Sequence, residues 1–193
     1  MDSGSTIKEV LYFDSPGTGN TGACVEIAVR RARELGIATF VIATTTGMSA
    51  LELHKHIDPE KERIVAISHH VGFREKGVDP MTAEQRESLR AHGIHVLTTG
   101  HALSGVGRGI SNKFGYLSPQ ELMAATLRMF GQGVKVTVEI TIMAADAGLI
   151  PMTGDVMAIG GTGKGADTAC VLTPAHSNHV FEMHIKELVC KPL

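Results

Sequence analysis

Along the first hundred residues, short apolar runs repeatedly break into loops rich in glycine, hydroxyls or histidine. The runs fall at 10–13 (VLYF), 38–43 (ATFVIA), 64–67 (IVAI) and 94–97 (IHVL). Stretches of helical character lie between them, at 23–36, 48–56 and 81–92. Strands buried on both faces read as continuous apolar runs, and parallel neighbours need a crossover, usually a helix. The expected fold is therefore α/β, with three layers, a mostly parallel sheet and right-handed connections. One domain over 1–193 is the simplest organisation. Residues 1–100 form the repeated strand–helix core, and 101–193 complete the pocket.

The rhythm changes after residue 100. Residues 102–116 read as a long glycine-rich loop. Ser118 caps a helix to about 130, with Pro119 at its first position and Glu121 as capping-box partner. Residues 134–147 alternate like a strand at Val134, Val136, Val138, Ile140 and Ile142. The alanine run at 144–147 and the stop at Gly148 favour a buried helix instead. Strands are expected at 156–159 and 168–172. The alternation of Phe181, Met183 and Ile185 with charged neighbours predicts a half-exposed last strand.

Lys plus Arg total 18 against 20 Asp plus Glu, a net charge of -2. That gives no global electrostatic case for nucleic acid or an anionic membrane. With no Trp and two Tyr, a base-stacking platform is also not expected. No apolar run approaches a membrane span, and MDSGSTIKEV lacks the features of a secretory signal, so the cytoplasm is expected. Cys24, Cys170 and Cys190 make neither a disulfide framework nor a metal motif. The pairs His54/His56 and His176/His179 lack the spacing of a familiar zinc site.

In an open parallel sheet the loops after the strands gather at one edge, where helix N-termini offer backbone donors to anions. Three loops suit that role. In the first, Ser15, Thr18 and Asn20 are candidate phosphate or ribose contacts; a tight turn with Asn20 or Thr21 capping a helix is the alternative. Gly17, Gly19 and Gly22 match Gly-x-Gly-x-x-Gly, yet the second strand closes on Ala43-Thr44 rather than the acidic residue a dinucleotide site needs. In the second, Thr44, Thr45, Thr46, Gly47 and Ser49 stand at the start of a helix and form the strongest phosphate candidate; capping by Thr46 or Ser49, with the other hydroxyls solvated, is the alternative. In the third, Thr162, Gly163, Lys164 and Asp167 lie in a glycine-rich loop without Walker spacing. There Lys164 neutralises an anion, and Asp167 accepts from ribose hydroxyls or orients Lys164; a hairpin with a surface lysine is the alternative.

Further candidates are His70, Gly72 and Phe73 after the third strand, and Thr98, Thr99 and His101 after the fourth. Adjacent residues of an extended chain point to opposite sides, so at most one of His69 and His70 should face the crevice; His70 is favoured, with a structural hydrogen bond as the alternative. Arg108 belongs to a lid-like loop, as an anion clamp or a solvated side chain. Glu139 and Asp146 share a face if 134–147 is helical. Glu139 then serves the ligand or binds loop N–H groups.

Residues 24–97 resemble the carboxyl-terminal domain of pyruvate kinase, through VEIAVRRARELGI, TFVIATT, the 44–50 loop and a strand ending at Ser68. That resemblance implies that Thr44, Thr45, Thr46, Gly47 and Ser49 hold a phosphate. Nearly the whole chain resembles a small family of stand-alone archaeal and bacterial proteins of the same fold type. Its marks are SPGTGNTG, ATTTGMSA, SHHVGF, TTGHALSGVGR, VEITIMAADAGLIP and GGTGKGADTA. This second resemblance implies FMN binding and no settled reaction. The pyruvate kinase catalytic barrel is absent, so its metal and substrate machinery do not carry over.

Three functions follow as expectations: an FMN protein and flavin-dependent oxidoreductase, a non-catalytic phosphometabolite sensor, or a sugar-phosphate enzyme using His70, Lys164 and Asp167. A homo-oligomer is expected to use the last strand and the 134–147 helix.

Overall fold

The computed structural model describes residues 4–193. One seven-stranded sheet runs β1 (Leu11–Phe13), β7 (His184–Pro192), β6 (Thr168–Thr173), β5 (Val156–Gly160), β2 (Thr39–Ala43), β3 (Arg63–Ser68), β4 (His95–Thr98) in spatial order. Only β6 is antiparallel to its neighbours; the other six strands share one direction. The fold is α/β with a mostly parallel sheet, as the alternation predicts.

Helices α1 (Thr21–Glu34), α2 (Met48–His54) and α3 (Ala83–Ala91) cover one face. Phe40, Ile42, Ile64, Ala66, Met157 and Ile159 point into that layer. The alternate residues Val41, Val65, Ile67 and Ala158 point the other way, against α6 (Gln132–Asp146). Outside α6 lie α4 (Gly105–Phe114) and α5 (Pro119–Arg128). Crossovers advancing towards β4 put their helices on one face, and the return to β5 uses the other, as a uniform hand requires.

The helix over 134–147 forms, and its strand-like pattern has a physical cause. The sheet packs on one side of α6, and Leu103, Ala124 and Val180 pack on the other. Nearly every residue from Gly133 to Ala145 is therefore buried. Gly133 lets the helix start lie on β6, because a Cβ there would overlap the Thr168 side chain. Ser118 caps α5 by accepting from the Glu121 N–H at 3.3 Å.

Four expectations change. Residues 105–114 are helical rather than a loop: the glycines mask an i, i+4, i+8 spacing of Val106, Ile110 and Phe114. The first strand is an exposed edge, not a buried one, because it pairs with β7 alone. The last strand begins at His184, and Ser177–Glu182 is a 3-10 turn that leaves Phe181 89% exposed. Asn20 does not cap α1 with its side chain; its Nδ2 donates to the Ser15 carbonyl at 2.7 Å.

Candidate functional site

Because β1 to β5 run the same way, the loops after them, 14–20, 44–47, 69–82, 99–104 and 161–167, open onto one edge. The strand order reverses at β2. The chain moves out through β3 to β4, then returns to lay β5 on the other side of β2. Ligands of open α/β sheets bind outside such a reversal.

Thr44 is buried at the end of β2. Its N–H donates to the Ile67 carbonyl at 3.0 Å, and its Oγ1 accepts from the Gly47 N–H at 3.0 Å. Gly47 takes a left-handed conformation, φ 91°, and turns the chain into α2. Thr44 thus shapes the loop from inside. Thr45 is half-buried, Thr46 exposed, and Ser49 buried in the first turn of α2.

The first and third loops meet. The Ala166 N–H donates to Thr21 Oγ1 at 3.0 Å, across the start of α1. Asp167 is fully buried. It accepts from the Thr168 hydroxyl at 2.9 Å and the Thr162 N–H at 3.1 Å, and its own N–H donates to the Gly160 carbonyl. The carboxylate therefore clasps its own loop from within, and neither interaction involves Lys164. Gly163, Lys164, Ser15 and Thr18 stand exposed at the rim.

Past β3 and β4 lies an imidazole–aromatic cluster. His69 Nδ1 and His101 Nε2 are 3.1 Å apart, within hydrogen-bond distance, with the donor set by the tautomers. Phe73 stacks on His69 with centroids 3.9 Å apart and planes 2° from parallel. His70 also joins, 5.4 Å from His101 and 5.6 Å from Phe73, with its Nδ1 on the Val71 carbonyl. Both histidines enter one cluster because β3 ends at Ser68, so the strand's two-residue alternation has stopped before them. The Gly72 N–H closes the loop onto the Val78 carbonyl at 2.9 Å. The Thr98 hydroxyl is tied to Ser68 Oγ at 2.5 Å, and Thr99 is exposed.

Beside the cluster is a pair that sequence reasoning half missed. Lys135 and Glu139, 4% and 5% exposed, form an ion pair within α6. Glu139 Oε1 also accepts from the Leu103 N–H at 3.0 Å, so it binds a loop N–H. The legible signal was a Lys and a Glu four apart in an otherwise apolar helix. Asp146 lies at the far end of α6 and accepts from the Ser177 N–H. Arg108, on α4, has its Nε 3.7 Å from Glu121.

Burial dominates the electrostatics. It pushes the His69 imidazole down to about 4, aided by His101 and Arg74. His101 is lowered by burial against the opposing field of Glu139. Lys135 is lowered by burial, with Glu139 opposing and Arg128 and Arg108 reinforcing. A neutral, hydrogen-bonded imidazole pair beside a buried ammonium–carboxylate pair can hold and pass a proton.

Among the described residues, no three or more His, Cys, Asp or Glu side chains are grouped to hold a metal ion, and no helix is long and apolar enough to cross a membrane. Surface hollows of about 390 and 300 Å³ lie along α1, lined by charged residues such as Arg30 and Glu34, and contain none of these loops.

No protein-family model matches the chain. Among solved structures it is similar to Cryptosporidium parvum pyruvate kinase in complex with ADP, at 16% identity and a TM-score of 0.38. The match covers 88% of this chain and 23% of that one, so the chain spans under a quarter of that protein's length.

Proposed function

We propose that the chain binds a phosphorylated small molecule, FMN, at the carboxyl edge of its sheet and acts as a flavin-dependent oxidoreductase. The observation that carries this reading is the convergence of five loops at one edge. The threonine loop lies beside the strand reversal, and the imidazole–aromatic cluster lies one to two strands away. Thr45, Thr46, Gly47 and Ser49 would hold the phosphate in the turn that Thr44 sets. The stacked His69–Phe73 pair would offer a ring face, and the tilted His70 and His101 ring nitrogens, to the isoalloxazine. When bound, the flavin supplies the redox chemistry. The chain's own part is to orient the ring, exclude water and hold a proton between His69 Nδ1 and His101 Nε2.

A non-catalytic sensor of phosphorylated metabolites is the second reading, favoured by the same threonine loop. An enzyme using His70, Lys164 and Asp167 has less support, because Asp167 is committed inside its loop. A cytoplasmic location fits three free, buried thiols. Self-association, if it uses apolar surface, draws on α4 and α5, where Val106, Phe114 and Leu122 are exposed, rather than on the internal α6.

The test is the ultraviolet–visible spectrum of gently purified protein, with mass spectrometry of whatever denaturation releases. Near-stoichiometric FMN is expected. No flavin, and no saturable binding of added FMN, would sink the cofactor reading and move the sensor ahead.

A further inference from the structure

Two of the three cysteines meet inside the core. Cys24 lies in the first turn of α1, and Cys190 lies on β7, 166 positions further along the chain. Both are 0% exposed and belong to the layer between the sheet and α1. The Cys190 thiol donates to Cys24 Sγ at 3.5 Å. A disulfide holds its sulfurs about 2.0 Å apart, so the pair has roughly 1.5 Å to close. Cys170 supplies the contrast. It is equally buried, but the alternation along β6 turns it to the other face of the sheet, against α6, where its Sγ accepts the Thr137 hydroxyl at 3.4 Å. Its neighbour Ala169 points to the α1 side and pairs with Cys190.

The position of the pair gives a small oxidant a way in. The outer neighbour of Cys190 is β1, an exposed three-residue edge that pairs with β7 alone. Cys24 stands in the opening turn of a helix that has no side-chain cap. Short edges and helix ends open locally while the central strands stay paired. The reduced pair is the resting state: the hydrogen bond from Cys190 raises the Cys24 thiol well above its ordinary value, and burial adds to it. A bulky thiol reagent does not reach such a pair without unfolding, whereas peroxide is little larger than water.

We propose that Cys24 and Cys190 are a redox modification site, in which hydrogen peroxide joins the two sulfurs in a disulfide that staples the start of α1 to β7. The thiolate of one cysteine attacks a peroxide oxygen; the O–O bond breaks, leaving a sulfenic acid and a hydroxide. The thiolate of the other attacks that sulfur; the S–S bond forms, the S–O bond breaks and a second hydroxide leaves. The two hydroxides take up the two thiol protons, so two thiols and one peroxide give one disulfide and two waters. Three residues before Cys24, Thr21 Oγ1 holds the Ala166 N–H. The staple therefore binds the helix that follows the first loop to the strand pair that follows the third. It is independent of what the crevice holds.

The test treats the reduced, folded full chain with hydrogen peroxide, then alkylates the remaining thiols in denaturant and maps the peptides by mass spectrometry. A linked Cys24–Cys190 peptide within one chain, with Cys170 alkylated and the link reversed by dithiothreitol, supports the site. The melting temperature should rise by roughly 5–10 °C on oxidation and return on reduction. Cys24→Ser and Cys190→Ser, with circular dichroism as the check on folding, should each abolish both the link and the shift; Cys170→Ser should abolish neither. Three alkylated thiols after peroxide, a link that involves Cys170 or a second chain, or sulfinic acid in place of the link would overturn the site. A link that forms without raising the melting temperature would overturn the staple.

Discussion

Glu139 neutralises Lys135 one turn away in α6 and, through its other oxygen, holds the Leu103 N–H of the segment leaving β4. One carboxylate thus ties a buried ammonium to the loop that carries His101. Removing one partner of such a pair strands the other charge, at a cost of about 3–5 kcal/mol. Lys135→Met should lower stability by that order in urea denaturation. Lys135→Met with Glu139→Leu should recover most of it, less about 1 kcal/mol for the unpaired Leu103 N–H. A double variant no more stable than the single one would show that the pair is not coupled.

His69 gives the fold an acid-side weakness. Its pKa is near 4 folded, against about 6.5 for a free imidazole. Because the folded value is depressed, the unfolded chain takes up the proton first as pH falls. The group's contribution is complete above pH 6.5 and is lost between 6.5 and 4. His54 and His101, both lowered by burial first, act in the same direction. The urea midpoint should fall over that window, and more shallowly in His69→Asn; equal slopes would contradict this account.

Thr44 and Thr46 should separate structure from binding. Thr44→Val removes the acceptor of the Gly47 N–H and should cost about 1 kcal/mol of stability. Thr46→Val removes an exposed hydroxyl and should leave the melting temperature unchanged. If Thr46 holds the phosphate, a charge-assisted bond worth about 1.5–3 kcal/mol is lost and FMN affinity falls roughly tenfold or more. Fluorescence titration of FMN reads the difference.

Asp167→Asn and Lys164→Ala should likewise part company. Asp167 holds the Thr162 N–H and the Thr168 hydroxyl. Its replacement should speed hydrogen exchange across 161–166 and lower stability. Lys164→Ala should do neither, since the lysine is exposed. Similar exchange in the two variants would remove the clasp from the account.

The alternation of apolar runs and helices made the sheet and the edge its loops share legible, because burial on both faces leaves a continuous apolar signature. What escaped was set by neighbours distant in sequence. Residues 105–114 read as loop because Gly107 is there for α5's close approach, a requirement invisible locally. Lys135 looked ordinary because its burial follows from Leu103 and α5 folding over α6. The two histidines were assigned opposite directions by a rule that ends with the strand at Ser68.

Since β6 alone runs against the sheet, residues 161–167 are anchored at both ends in neighbouring strands, whereas the connections leaving β2, β3 and β4 lead into helices. A helix can tilt or slide; a paired strand cannot without breaking its ladder. The part of this edge beside β5 is therefore its fixed side. Any motion at this edge is therefore easier on the opposite side, where the histidine loop and α4 stand.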